Sequence, residues 1–415
     1  MNRRTIIVAG ASLAAATLAT EGSIAQSTAT EKRPDQRLGQ TYRFADPDMD
    51  LFFIAALGWG PAGGLDIGQA FYIASQITDG DADSWVRAFS NYGDAMNAQA
   101  DSWNAQGRKR AAGEARLKAF ASYRSAWQFA GPGDLFKSLV VKHKTAFVAA
   151  MKELAITASH FEVPFAGQQL PGAYFQNGDP GAPVVLVIGG ADTCFEDLFL
   201  TVGRNLLDRG YSVALADLPG QGITQADGLY WQVEAEKPIA AIVDLLVSRF
   251  GAKAGRIALI GLSLGGYFAA RAAGHDERFG TVIASTPFPN PTEMFALAVK
   301  EKAKSAQPPS ASALRSAQVT LWKAGASGPQ DFLARTSNMI ADPALVTVPF
   351  LSILGAGDSP VFAAQAHAWH RDIKSTRKAF VLLDAASGAD GHVQVNNRLR
   401  LAQEATGWMD DIFDL

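Results

Sequence analysis

The chain has 415 residues, of which 48% are hydrophobic and 19% charged, and its formal net charge is −3. That balance is globular, leaves room for one large α/β domain and a smaller one, and supplies no basic field to hold nucleic acid. A single cysteine, Cys194, excludes an internal disulfide framework and any metal site built from several cysteines; no H-E-x-x-H or P-loop pattern is present, and no metal is expected.

The first segment reads as an export signal. Asn2-Arg3-Arg4-Thr5 precedes an apolar run from Ile6 to Leu18, and the small-residue site Ser23-Ile24-Ala25 stands before Gln26. This predicts a signal peptide over residues 1–25, of twin-arginine type, and a periplasmic or secreted protein cleaved near Ala25. Residues 26–46 form a polar, proline-containing linker. No later stretch is long and uncharged enough to span a bilayer, so stable membrane insertion is not expected after signal removal.

Residues 47–155 carry helical periodicity and predict an N-terminal cap domain. Trp85, Phe89, Tyr92, Met96 and Trp103 follow one another at three-, four- and seven-residue steps, an amphipathic stripe. Such a stripe is first a packing surface, although some of its rings are expected to face a substrate chamber. The run Gly58 to Gly63 matches G-x-G-x-x-G formally. It contains Trp59 and Pro61 and lacks a βαβ unit around it, so it predicts a helix–helix turn.

From residue 156 to the C-terminus the pattern becomes strand–helix alternation. "HFEVPFAGQQLPGAYFQN" predicts two short strands around a turn. "APVVLVIGG", "YSVALADLPG", "RIALIGLS", "FGTVIAST", "PFLSILGAGD" and "KAFVLLDAASG" are apolar runs, most of them separated by helical sequence. Strands apolar on both faces predict a mainly parallel sheet covered by helices, an α/β architecture. Helical, Ala-rich sequence over about 290–342 interrupts the alternation and predicts a lid insertion.

Gly261-Leu262-Ser263-Leu264-Gly265 places a serine between an apolar strand and an alanine-rich helix. G-x-S-x-G in that context predicts a strained turn that presents the hydroxyl above the sheet. A serine hydroxyl needs a base. Of the six histidines, His143, His160, His275, His367 and His370 fall in or beside helices and strands. Only His392, in "GADGHVQVNN", sits in a loop after the last strand. The orienting carboxylate is Asp358 at the end of "LSILGAG", with Asp384 at the end of the next strand as competitor. Oxyanion donors are expected from the backbone of Leu264 and of Ala191, beside Gly190 in the turn after "VVLVIGG". Asp192 is a candidate auxiliary acid or a plain turn-stabilising carboxylate. Tyr230 and Trp231 are candidate substrate contacts. Cys194 reads as a small buried residue, and Asp217 in "DLPGQG" as part of a strand-exit turn.

These stretches, together with "GDADSW", "EVPFAGQQLPGAYF", "DLPGQGIT" and "EKPIAAIVDLLVSR", resemble the α/β-hydrolase superfamily. They are most similar to its branch that contains dihydroxypseudooxynicotine hydrolase, fungal polyketide-shortening hydrolases and related esterases. The resemblance runs from about Leu51 to the end and departs from many relatives in the export-like N-terminus. It implies the α/β-hydrolase fold, matches Ser263, Asp358 and His392 to the family triad, and sets Asp192 where some relatives carry an acid. It also implies hydrolysis of esters, or of carbon–carbon bonds next to a ketone, without metal or organic cofactor.

The expected function is therefore a serine hydrolase cleaving an ester or related acyl bond of a medium-sized aromatic molecule. The alternatives, in order, are a carbon–carbon hydrolase of a β-diketone or aryl ketone, a peptidase or acyltransferase, and a catalytically silent binding protein. A small molecule is the partner expected, and pairing of two copies is left open.

Overall fold

In the computed structural model, residues 36–177, 182–304 and 308–415 are described. The expected export signal, and the linker up to residue 35, lie outside them.

Five α-helices come first: α1 (Pro47–Leu57), α2 (Ile67–Ala74), α3 (Ala82–Ala105), α4 (Lys109–Trp127) and α5 (Asp134–Glu153). The Asp46 carboxylate starts α1 by accepting from the N–H groups of Asp48 and Met49 at 3.1 and 3.0 Å, with Pro47 in the first turn. The glycine-rich run after α1 is the expected helix–helix turn, closed by Gly63 at φ 103°. On α3 the stripe divides: Trp85 and Phe89 are fully buried, while Tyr92, Met96 and Trp103 are half-buried.

The strands are β1 (Ser159–Phe165), β2 (Gln168–Phe175), β3 (Val184–Ile188), β4 (Ser212–Ala216), β5 (Ile257–Leu262), β6 (Phe279–Ser285), β7 (Phe350–Gly355) and β8 (Lys378–Leu383). They form one sheet in the order β1-β2-β4-β3-β5-β6-β7-β8. The first two pairings are antiparallel and the rest parallel. Val184–Ile188 shows why: all five residues are buried, and only helices on both faces can cover such a strand. The architecture is the one that the resemblance implies.

Crossover helices follow. The short α6 (Phe195–Leu198) and α7 (Arg204–Leu207) are joined by a π-turn, Phe199–Gly203. Then come α8 (Glu236–Phe250), α9 (Leu264–Ala273), α10 (Pro291–Lys304), α11 (Ala311–Lys323), α12 (Pro329–Thr336), α13 (Pro360–Asp372) and α14 (Arg398–Phe413). Helices α10 to α12 occupy the expected insertion. Among the described residues, no helix is long and apolar enough to cross a membrane.

Alternate residues of each strand point to opposite faces, so the sheet divides the core in two. On one face Val185, Val187, Ile260 and Ile353 join Leu401 and Met409 of α14. Trp85, Phe120 and Trp127 of the N-terminal helices belong to that same buried cluster. On the other face Leu186 and Leu259 pack with Ile239, Phe268, Phe295 and Trp369. The N-terminal helices thus share their core with the sheet.

Candidate active site

The turn at the end of β5 is tight because three glycines let backbone pack on backbone. A Cβ on Gly261 would lie 2.0 Å from Gly265 O, one on Gly265 2.6 Å from Gly189 O, and one on Gly266 2.1 Å from Thr286 O. Ser263 sits at the apex with φ 57° and ψ −119°, outside the regions that ordinary side chains favour. Its N–H donates to Ser285 O at 2.7 Å, and its carbonyl accepts from Gly266 N at 2.7 Å, which holds the strained turn in place.

Ser263 Oγ stands 2.8 Å from His392 Nε2, and His392 Nδ1 stands 2.7 Å from Asp358 Oδ1. Asp358 also accepts through Oδ2 from Thr286 Oγ1 at 2.8 Å. Both His392 and Asp358 are buried. The three residues come from the ends of β5 and β7 and from the loop after β8, so the parallel sheet itself brings them to one edge. The His392 N–H donates to Arg37 O at 2.8 Å, and Val393 and Gln394 follow it at φ 47° and 53°. Asp384, the competing carboxylate, is exposed and accepts from Ser387 N at 3.0 Å, a local turn contact. The remaining histidines lie elsewhere: His367 stacks on Phe380 with centroids 4.6 Å apart, for example, and His160 belongs to β1.

The N–H of Leu264 opens α9, and that of Ala191 opens the turn after β3. Among the described residues neither amide has a backbone acceptor. Gly190 is packed against the serine, since a Cβ there would lie 2.7 Å from Ser263 Cβ. The turn is held from behind by Gln221, whose Nε2 donates to Gly189 O at 2.6 Å and Gly190 O at 2.8 Å. Gln221 is fully buried. It lies in the "DLPGQG" stretch, where the sequence marked only a turn. Beside it, in the same strand-exit turn, burial and the nearby Glu196 push the Asp217 carboxyl well above its ordinary value.

A cavity of about 720 Å³, open space at its mouth included, lies above Ser263 and His392. Leu51, Phe52 and Ala55 of α1 form an apolar wall together with Trp59, whose Nε1 donates to Thr201 Oγ1 in the π-turn at 3.0 Å. Arg37, Arg124, Asp192, Asp197 and Arg398 bring charge to the same wall.

Asp192 lies at this cavity but is tightly tied. Its Oδ1 accepts from Lys323 Nζ at 2.8 Å and Gln128 Nε2 at 3.3 Å, and its carbonyl accepts from Arg124. Burial alone would raise its pKa, but the Lys323 ammonium overcomes this and holds the carboxyl below its ordinary value. It is an anchor between β3, α4 and α11, and a poor proton donor.

Tyr230 and Trp231 do not line the cavity. Trp231 stacks on Phe295 with centroids 6.0 Å apart and packs on Phe332, so its surface is covered by the insertion helices. A residue following a pocket-lining turn was a reasonable candidate, but the insertion that claims it is distant in sequence.

His143, Cys194 and Glu196 form a buried group whose ligand atoms lie within 4.8 Å of one another. Trp127 Nε1, which can only donate, bonds His143 Nδ1 at 3.1 Å. Burial keeps His143 neutral, so its proton must sit on Nε2, the atom that faces the group. That tautomer offers no lone pair to an ion. Burial and the acids Asp197 and Glu196 push the Cys194 thiol well up, which leaves it protonated and unreactive.

The model of a family described as "Alpha/beta hydrolase family" matches residues 180–409. The chain is similar to "Hydrolyase poxO" of Penicillium oxalicum, 31% identical over 251 residues, which are 57% of this chain and 59% of that one. It is equally similar to "20-hydroxy-prefusarin hydrolase FUS2" of Gibberella moniliformis, 31% identical over 245 residues, 55% of this chain and 58% of that one. The matches thus span under two thirds of these curated relatives. Among solved structures, that of 2,6-dihydroxy-pseudo-oxynicotine hydrolase is similar in fold, with TM-score 0.69 at 18% identity, covering 86% of this chain and 96% of the other.

Proposed function

The chain belongs to the alpha/beta hydrolase family, and from that premise we propose that it is a serine hydrolase acting on an ester or related acyl bond. The observation that carries the reading is the unbroken hydrogen-bonded line from Asp358 through His392 to Ser263, opening on a cavity. In the proposed reaction Ser263 Oγ attacks the carbonyl carbon while His392 Nε2 takes its proton. Asp358 keeps the imidazole oriented and offsets the charge it gains. The oxyanion accepts from the N–H groups of Leu264 and Ala191. His392 then returns the proton to the departing alkoxide oxygen, leaving an acyl-enzyme. Water, deprotonated by His392, releases the acid and restores the serine.

The apolar wall from α1 and Trp59 supports a medium-sized, aromatic substrate. We assign the cover of the cavity to the N-terminal helices, with α11 of the insertion reaching it through Lys323 on Asp192. Carbon–carbon hydrolysis is the second reading. It needs help for a departing carbanion, and the acid nearest the oxyanion turn, Asp192, is held ionised by Lys323. That favours the ester.

Replacing Ser263 by alanine tests the proposal. Turnover of a panel of activated aryl esters should fall by about 10⁴-fold or more with the circular dichroism spectrum unchanged. Near wild-type activity on every ester would end the proposal.

A further inference from the structure

Among the arginine and aspartate side chains of the cavity wall, one lacks an opposite charge. Arg37 pairs with Asp48 at 2.5 Å, Arg124 with Asp197 at 2.5 Å, and Asp192 with Lys323 at 2.8 Å. Arg398 forms no ion pair among the described residues. It is 8% exposed, its Nη1 donates to Val393 O at 3.3 Å, and its Nε is buried without a hydrogen-bond partner. The carboxylate whose field reaches it is that of Asp197. Asp197 Oδ2 is taken by Arg124 Nε at 2.5 Å and Cys194 N at 3.2 Å. Two guanidinium groups therefore share one carboxylate, and one positive charge is left over.

The position of that charge is unfavourable three times over. Arg398 is the first residue of α14, where the helix dipole disfavours a cation. Burial disfavours it again and lowers its pKa from 12.5 to about 10, so it remains charged at neutral pH. A buried N–H without an acceptor adds a further cost. Methionine or leucine would fill the same space with none of these penalties.

We propose that Arg398 recognises an anionic oxygen group of the substrate, a carboxylate or an ionised enol, which enters the cavity alongside the carbonyl presented to Ser263. This rests on the reading of the cavity as a hydrolase site and names the class of molecule it takes. The anion supplies the missing ion pair, gives the guanidinium a charged acceptor, and matches the positive end of α14. The group is bound and not transformed. A neutral analogue leaves the buried guanidinium unpaired, which is the situation in which a site discriminates strongly.

Calorimetric titration of the wild-type protein and of Ser263→Ala tests this without turnover. One arm compares 3-phenylpropanoate with 3-phenylpropanamide. The other compares 1-phenylbutane-1,3-dione, above the pKa of its enol, with the neutral monoketone butyrophenone. At least one anion should bind about tenfold or more tightly than its neutral partner, and the arm that does so identifies the source of the oxygen. The preference should vanish in Arg398→Gln and survive in part in Arg398→Lys. Equal affinities in both arms for folded wild-type protein, or no binding of either anion at millimolar concentration, overturn the proposal. Because Ser263→Ala is titrated alongside, failure here stands apart from failure of the nucleophile assignment, which is read from turnover.

Discussion

Ser263, His392 and Asp358 were legible as candidates because each closes a local pattern: a glycine-flanked turn, a loop after the last strand, and a strand end. Their bonding at 2.7 and 2.8 Å follows from a parallel sheet, which brings the C-terminal ends of its strands to one edge. Gln221, Arg124 and Arg398 carried no such signal. Gln221 and Arg124 act through partners remote in sequence, Gln221 on Gly189 and Gly190, Arg124 on Asp192 and Asp197, and the unpartnered Nε of Arg398 shows only in the folded chain. Gln221 holds the turn after β3, the proposed source of an oxyanion donor, and its removal leaves two carbonyls short of a buried donor. Gln221→Ala should lower kcat by about 10- to 100-fold while changing KM by less, since the donors act mainly on the transition state. Steady-state kinetics on one activated ester gives the split. An unchanged kcat in a folded variant would remove Gln221 from the machinery.

At the level of elements, the strands were read from their apolar runs because burial on both faces leaves no alternation to misread. Helix partners were harder. A stripe tells which side of a helix is buried but not against what, so the seat of Lys323 on Asp192, and of Trp231 beneath α10 and α12, could not be foreseen. Asp192 joins the turn after β3 to α4 and α11, and this junction is sensitive to acid. Its carboxyl lies below the usual 3.8 in the folded chain. It therefore contributes stability above that value, and the contribution is lost as pH falls through the lowered one. Thermal unfolding of wild type and Asp192→Asn across the acid range should show wild type ahead at neutral pH, with the gap narrowing as the carboxylate is protonated. A gap independent of pH would contradict the ionised anchor. The same variant should lose activity alike on ester and ketone substrates, because Asp192 positions the turn and donates no proton.

For the molecule as a whole, the sequence suggested a cap set upon a catalytic domain, whereas Trp85 and Phe120 lie in one buried cluster with Val187 and Ile353. Periodicity does not reveal whether two regions have separate cores. The N-terminal helices thus have two tasks, covering one sheet face and walling the cavity with α1. The export reading belongs to this scale too. It rests on Arg3-Arg4 and Ser23-Ile24-Ala25, and it predicts that protein from the native host's periplasm or medium begins at Gln26. N-terminal sequencing that finds an intact Met1 in the cytoplasm would refute it. The central claim, that Ser263 is a nucleophile activated by His392, is tested most directly by mass spectrometry after reaction with a fluorophosphonate probe. The account predicts a single adduct on Ser263, in the tryptic peptide from Ile257 to Arg271, formed by the wild type and suppressed in His392→Ala. An unmodified Ser263 in protein that still hydrolyses esters, or equal labelling without His392, would contradict it.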